Sequence, residues 1–188
     1  MEFNPKSKFL STTSVSQRLV DLIEKNADEL TKNWLREVKR HPGTPTYHDF
    51  EEDELYSRAF NVYCNLGRWI SRDTTKEEIA KHYTNLGAQR YKEGFRLSEV
   101  IQALILTRRQ MWVKVLADGL LDTALDLNQA IEMYTRVTSF FDRAIFFTAV
   151  GYETKEKEEY ERLHVSEVRH EIRRKYRFPL PLRKRRPG

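Results

Sequence analysis

The chain has 188 residues, of which 39% are hydrophobic and 32% are charged. This length fits one domain with or without a tail, and the high charged fraction favours amphipathic helices with solvated outer faces. The net charge of +5 is concentrated near the C-terminus: residues 171–188 contribute +7, so the remaining residues sum to −2. This distribution argues against a nucleic-acid-binding surface spread over the fold.

The chain has a single cysteine, Cys64, which excludes a disulfide framework and fits a reducing compartment. We expect Cys64 to be a small core residue. No stretch reaches the roughly 18 apolar residues of a membrane span, and Met1–Lys6 lacks the apolar core of a signal peptide. The sequence therefore predicts a soluble, cytoplasmic protein.

Residues 1–13 are polar, and we expect a flexible N-terminus. Ser14 or Ser16 can cap a first helix that extends to about Arg40. The residues at inward-facing spacing in this helix are Leu19, Leu22, Ile23, Leu30, Trp34, Leu35 and Val38. Residues 41–49 contain two prolines and a glycine, which predict a loop.

A second helix is predicted from Asp53 to Ser71, and a third from the turn at residues 73–77 to about Glu93. The turn has the pattern of a capping box, formed by Thr74 or Thr75 with Glu77 or Glu78. Gly94 marks a tight turn, and Ser98 is a plausible N-cap of a fourth helix that extends to about Leu121. One charged residue, Arg108, lies within the apolar face of this fourth helix, which comprises Val100, Ile101, Leu104, Ile105, Met111, Trp112 and Val115.

A fifth helix is predicted from about Leu127, with Gly151 as its stop or kink. Residues 152–177 then form a charged C-terminal helix, and residues 178–188 a basic extended tail. The charged helix has only a narrow apolar stripe, which favours packing on one partner such as a second copy. The stripe comprises Tyr160, Leu163, Val168, Ile172 and Tyr176. The fold prediction is all-α: a five- to six-helix bundle or globin-like domain over residues 14–151, with an extended C-terminal helix.

The sequence contains no phosphate-binding glycine loop, nucleophile elbow or zinc-protease helix, and we expect no enzymatic activity. Among the five histidines, His82 follows Ile79 by three residues and precedes Leu86 by four, so it could face inward. An inward histidine can ligate haem iron, and aromatic residues able to line such a pocket are Phe60, Tyr63, Phe140 and Phe141. The alternative is a core or boundary histidine that is hydrogen-bonded to a neighbour.

Two arginines, Arg90 and Arg108, are candidates for ligand binding or signal relay, together with Trp112 and Tyr63. An unpaired buried guanidinium is costly, so a buried arginine needs acceptors. Arg108 can pair with a carboxylate between helices, bind an anionic ligand, or extend to water.

The predicted tail contains a basic run, which comprises Arg183, Lys184, Arg185 and Arg186. This run can contact an anionic surface weakly or act only as a solubilising end. It lacks the aromatic residues of a single-strand-binding platform, and we expect no specific nucleic-acid partner.

The residues around Gly94 form an extended motif. It reads Leu86-Gly87-x-x-Arg90, then Gly94-Phe95-x-Leu97-Ser98-Glu99-Val100-x-x-Ala103-Leu104, then x-x-x-Arg108-x-x-x-Trp112. Together with Trp34 and the run Phe141-Asp142-Arg143-Ala144, this motif resembles the N-terminal domain of the RsbRD family, the RsbT co-antagonist proteins of bacterial stress signalling. The resemblance covers roughly residues 17–150.

The resemblance implies a helical sensory or regulatory module with a globin-like fold. Related domains with this fold lack haem, so a haem-free domain is the expectation and haem ligation by His82 is the alternative. Family members often carry an output domain, such as an anti-sigma-antagonist or kinase domain. This sequence instead continues into a charged helix and a basic tail. We therefore expect a homodimeric regulator without a cofactor, which signals to a downstream protein through its C-terminal helix.

Overall fold

The structure is a computed structural model, and it describes residues 15–71, 73–118 and 123–175. These residues form eight α-helices and no strand, which confirms the all-α prediction. The predicted flexible N-terminus and basic tail lie outside the described residues. The helices are α1 (Val15–Lys25), α2 (Ala27–Val38), α3 (Pro45–Asp49), α4 (Glu52–Cys64), α5 (Leu66–Ile70), α6 (Lys76–Lys92), α7 (Leu97–Ala117) and α8 (Ala124–Lys175).

The helices outnumber the five or six predicted because two asparagines interrupt predicted helices. The Asn26 side-chain amide donates to the carbonyl of Leu22 at 2.7 Å, and helix α1 ends there. The Asn65 side chain donates likewise to the carbonyl of Asn61 at 2.9 Å, between α4 and α5. Such local side-chain bonds compete with the helical backbone pattern. Pro45 adds the short helix α3 inside the predicted loop, since proline is favoured at a first helical position.

The turns that flank α6 follow the sequence pattern. Thr75 and Glu78 form the predicted capping box, in which the Thr75 hydroxyl accepts from the Glu78 amide at 3.1 Å. Gly94 has a φ of 80°, which glycine adopts without strain and which ends α6 in a tight turn. The N-cap prediction for Ser98 is wrong: α7 begins at Leu97, with Arg96 as its N-cap residue.

The core lies between the long helices, and α1 and α2 contribute to it most of their residues predicted to face inward. Leu19, Ile23, Leu30 and Val38 are fully or almost fully buried. Trp34 joins α2 to α7, because its indole N–H donates to the Ala103 carbonyl at 3.1 Å. From α8 the buried side chains include Met133, Val137, Phe140, Phe141 and Ala144.

Helices α6 and α8 make the most extensive contact of the bundle, and they cross at two glycines. A Cβ on Gly87 would overlap the carbonyl oxygen of Thr148, and a Cβ on Gly151 would overlap that of Thr84. The two backbones therefore touch with no side chain between them. Of the two alternatives predicted for Gly151, a stop or a kink, the stop is wrong, since α8 continues through it.

Helix α8 has 52 residues and is about 78 Å long at 1.5 Å per residue. Its first part packs in the core, while residues 153–175, which we call the stalk, follow the last core contacts. Side chains of residues 160–167 are all exposed. Ion pairs between neighbouring turns support the stalk, including Lys155 with Glu158 at 3.0 Å and Arg162 with Glu159 at 2.7 Å. No helix in the described part of the chain is both long and apolar enough to cross a bilayer.

Candidate functional site

A cleft of about 390 Å³ lies between α4, α5 and α6. Its volume falls within the range of about 300 to 1,000 Å³ that is typical of small-molecule sites. Six of its nine lining residues are polar, so it differs in character from the apolar core. The lining residues are Arg58, Asn61, Val62, Trp69, His82, Asn85, Leu86, Gln89 and Arg90.

Helix periodicity places these residues on two facing surfaces. On α6, the spacing from His82 through Asn85 and Gln89 keeps the polar side chains on one face. On α4, Arg58 and Asn61 are three residues apart and also share a face. The Trp69 indole on α5 lines the cleft and also contacts the core ring of Phe140 on α8, with 5.8 Å between the ring centres.

Arg90 and Arg58 share one carboxylate at this cleft. Arg90 is only 6% exposed, and its Nη1 donates to Oε2 of Glu93 at 2.8 Å. Arg58 donates to both carboxylate oxygens of Glu93, at 3.0 and 2.9 Å. Arg58 also pairs with the exposed Glu54 at 2.6 Å. A bidentate arginine pair of this kind is a strong charge-assisted interaction.

Burial and neighbouring charges shift the pKa values of this cluster. Burial lowers the pKa of Arg90, and the nearby charge of Arg58 lowers it further, while Glu93 opposes both effects. Partial burial by itself would raise the pKa of Glu93, but the hydrogen bond from Arg58 and the charge of Arg90 lower it overall. Glu93 is therefore ionised at neutral pH and acts as the shared counter-ion.

His82 lies at the exposed side of α6, with its ring 4.9 Å from the Trp69 ring. The prediction that His82 faces inward is wrong. The buried face of α6 instead comprises Ile79, Tyr83, Gly87 and Arg90. Partial burial and the charge of Arg68 lower the pKa of His82, so its imidazole is neutral at pH 7.

The aromatic residues predicted to surround a haem do not line the cleft at His82. Tyr63, Phe140 and Phe141 are buried in the core, and Phe60 stacks on Tyr56 at 5.7 Å. Among the described residues no three His, Cys, Asp or Glu side chains are grouped so that they could hold a metal ion. Haem ligation by His82 stays a prediction.

The remaining predicted site residues lie elsewhere. Arg108 donates to Asp142 at 3.2 Å and so bridges α7 and α8, in agreement with the paired-arginine interpretation. Trp112 is half-buried and contacts the Tyr134 ring at 5.0 Å. Tyr63 donates to the Thr107 carbonyl at 3.2 Å. Of the four ligand or relay candidates, only Arg90 lines the cleft.

Sequence reasoning missed Arg58, Trp69, Asn85 and Gln89 as cleft residues. A signal for α6 was present, because its amide and basic side chains recur at helical spacing in the predicted third helix. The contribution of Arg58 could not be read from the sequence, since it depends on which face α4 turns toward α6.

A second, larger cleft of about 620 Å³ is lined by the basic end of α2. Its lining residues are Lys32, Leu35, Arg36, Lys39, Arg40 and Glu52. The side chains of Lys32, Arg36 and Arg40 are exposed, so water already solvates their charges. The smaller cleft has a buried arginine and is therefore the better candidate site.

Comparison with known protein families matches residues 28–166 to the RsbT co-antagonist protein rsbRD N-terminal domain. The chain belongs to this family. The match extends from α2 into the stalk and includes every residue of the cleft, and it confirms the resemblance read from the sequence. No curated protein and no solved structure matches the chain.

RsbRD N-terminal domains are regulatory domains of stress signalling, and they belong to a partner-switching system. Membership therefore agrees with the predicted regulatory function and with the expectation of a signalling partner. The family assignment also agrees with the absence of a catalytic motif from the sequence.

Proposed function

We propose that this stress-signalling domain is a non-enzymatic cytoplasmic sensor, and that it passes a signal along α8 to a downstream protein as a homodimer. The observation that carries the proposal is the geometry of α8. One continuous helix packs in the core, crosses α6 at Gly87 and Gly151, and extends as the charged stalk.

The relay begins at α6, which lies between the cleft and α8. His82, Asn85 and Gln89 line the cleft, whereas Gly87 contacts the backbone of α8. A shift of α6 displaces α8 directly, because no flexible side chain separates the two backbones. Such coupling requires two arrangements of the helices, one of which the signal favours.

Two further links hold α8 to the rest of the bundle. The Tyr152 hydroxyl donates to the carbonyl of Phe95 at 2.8 Å, just after the Gly94 turn. The ion pair of Arg108 with Asp142 joins α8 to α7. A change at the turn or at α7 would therefore also reach the base of the stalk.

Exposed apolar side chains on α8 support the homodimer. Phe146, Val150, Tyr160 and Leu163 are 60%, 37%, 69% and 57% exposed. At about 100° per residue they fall within a face about 140° wide. A surface of this kind is typical of a helix that packs against one partner.

Distance measurements between stalks test the relay. A spin label at Glu167→Cys, in a Cys64→Ser background, reports the separation of two stalks in a dimer. We expect Gly87→Ala to change the distance distribution, because it forces α6 and α8 apart. Gly67→Ala in α5 is the matched control and should leave the distribution unchanged.

Two outcomes would contradict the proposal. If the labelled wild-type chain gave no intermolecular distance, the homodimer would be wrong. If folded Gly87→Ala gave the same distribution as the wild type, α6 would not control the stalk.

The alternative, a haem sensor, is favoured only by the neutral imidazole of His82 at the cleft. An absorption spectrum of the freshly purified protein separates the two functions. A Soret band that disappears in His82→Ala would make haem binding the correct function. A colourless protein would leave the haem-free sensor in place.

A further inference from the structure

We propose that the cleft between α4, α5 and α6 binds a small organic carboxylate. Arg90 would hold the carboxylate, and the apolar part would lie against Trp69, Val62 and Leu86. The inference rests on the proposed function only where it identifies this ligand with the sensed signal. Binding of the ligand can be tested on its own.

The hydrogen bonding of Arg90 is incomplete. A guanidinium has five N–H donors, and Arg90 uses one of them, at Nη1, within the described part of the chain. Its guanidinium carbon also lies 5.9 Å from the centre of the Phe95 ring, a contact that accepts no conventional hydrogen bond. The Arg90 side chain is 6% exposed, but its Nε and Nη2 are not among the fully buried unpaired nitrogens of the described residues. These donors therefore reach the water of the cleft and can donate to an acceptor there.

The sharing of Glu93 also favours an anion at Arg90. Arg58 pairs with both Glu93 and the 58% exposed Glu54, whereas Arg90 pairs with Glu93 alone. With Glu54 the cluster has two cations and two anions, but Arg90 has no carboxylate of its own. An incoming carboxylate would supply one in a partly desolvated place, where a charge-assisted hydrogen bond is stronger than at the surface.

The residues that line the cleft indicate which class of ligand it would bind. Three apolar residues line the cleft beside the arginines, so an inorganic anion would leave that surface uncovered. Asn85 and His82 make no hydrogen bond to other described residues and can bind polar groups of the ligand. The volume of about 390 Å³ limits the ligand to a small molecule.

Binding of benzoate to the full chain is the experiment. Trp69 lines the cleft and the other two tryptophans do not, so indole fluorescence reports occupancy. We expect benzoate to quench the fluorescence saturably at millimolar concentration, and Trp69→Phe to remove the quenching. Benzamide, which has the same ring without the charge, should bind at least about tenfold more weakly, since hydrogen bonds to charged groups contribute more.

Two variants locate the bound carboxylate. Asn85→Asp places a negative charge at the exposed wall, where the fold does not depend on Asn85, and it should weaken benzoate binding about tenfold. Asn128→Asp is the matched control on the exposed surface of α8 and should bind as the wild type does. Arg90→Gln should abolish binding, provided that circular dichroism shows a folded protein.

Three results would each overturn the proposal. Benzamide binding as tightly as benzoate would show that the charge is not recognised. Inorganic phosphate binding more tightly than benzoate would show that the apolar wall does not select the ligand. Equal benzoate affinities of Asn85→Asp and Asn128→Asp would place the bound carboxylate outside the cleft.

The relay is judged by a separate measurement. Gly87→Ala is compared with the wild type in the absence of any ligand, so this comparison tests the relay without benzoate. If benzoate did not bind but Gly87→Ala altered the stalk distances, the ligand proposal would be wrong and the relay would stand. If benzoate bound but Gly87→Ala left the stalk distances unaltered, the relay would be wrong and the ligand proposal would stand.

Discussion

Glu93 is the residue on which the charge balance of the cleft depends. Replacing it by glutamine would leave Arg90 buried without a counter-ion, and breaking such a pair costs about 3 to 5 kcal/mol. We expect Glu93→Gln to lower the free energy of unfolding by about 3 kcal/mol, as measured by urea denaturation.

The control is Glu156→Gln, at an exposed stalk position. It should change the free energy of unfolding by less than about 0.5 kcal/mol. Equal effects of the two substitutions would show that the buried ion pair does not stabilise the fold.

His82 gives the fold a dependence on pH in the mildly acidic range. Its pKa is lowered from 6.5 in the folded state, so the unfolded chain binds a proton more readily. The stability it contributes is therefore fully present above pH 6.5 and decreases as the pH falls toward the lowered pKa of the folded state. We expect His82→Gln to reduce the loss of Tm between about pH 7 and about pH 5.

His164→Gln on the exposed stalk is the control for this measurement. If His82→Gln and the wild type lost the same Tm over this range, His82 would not contribute to the acid sensitivity. Urea unfolding at the two pH values gives an independent measure of the same difference.

The position of individual residues was only partly predictable. For Arg108 the sequence favours a paired state but leaves an anionic ligand and extension to water open, and it does not indicate the partner Asp142. The helical spacing of His82 from Ile79 and Leu86 predicts that it faces inward, which is wrong. The same spacing also fits Tyr83, which is four residues after Ile79, and burial of the larger ring decides between them.

At the scale of helices, the crossing of α6 and α8 is the feature most sensitive to a single methyl group. In Gly87→Ala, the new Cβ would overlap the Thr148 carbonyl oxygen and lie 2.8 Å from the Tyr152 nitrogen, and neither backbone atom can rotate away. Overpacking of this kind costs about 1 to 3 kcal/mol, which exceeds the gain of about 1 kcal/mol in helix propensity. We expect a lower free energy of unfolding in urea.

Gly67→Ala is a control for a helix glycine outside the α6–α8 crossing. Its Cβ would lie 2.9 Å from Cγ1 of Val20, a buried and stiff side chain, so this control has a cost of its own. A Gly87→Ala variant as stable as the wild type would mean that α6 and α8 are not locked at this point.

Helix boundaries were predictable where local chemistry decides them. The capping box at Thr75 and the glycine turn at Gly94 are local signals that the sequence contains in full. Gly151 is not a helix end, although glycine in a helical sequence usually indicates one. Its actual role depends on α6, which is more than 50 residues away in the sequence, so the local pattern does not contain that information.

At the scale of the whole molecule, amino-acid composition alone distinguishes the stalk from the core. The described side chains of the stalk mostly face water, and many of them are charged. The part of α8 that packs in the core carries buried aromatic side chains, because other helices surround it. Neither composition nor periodicity could show that the cleft and the stalk are connected through α6. That connection depends on the packing of helices that are distant in sequence.

The stalk prediction concerns the assembly of two copies. We expect the double variant Tyr160→Glu and Leu163→Glu to be monomeric, because it places four like charges on facing helices of a dimer. Both side chains are more than half exposed, so the fold of each copy should be unaffected. Sedimentation velocity measures the oligomeric state, and circular dichroism checks the helical content.

Arg162→Glu is the control for charge alone, since at about 100° per residue Arg162 lies roughly 160° from Tyr160 and about 100° from Leu163 around the helix. Arg162 is exposed and pairs with Glu159 at 2.7 Å, a contact that contributes little at the surface. The control should stay dimeric while the double variant does not. A double variant that remained dimeric would place the interface elsewhere on α8, and the exposed pair Phe146 and Val150 would be the next positions to change.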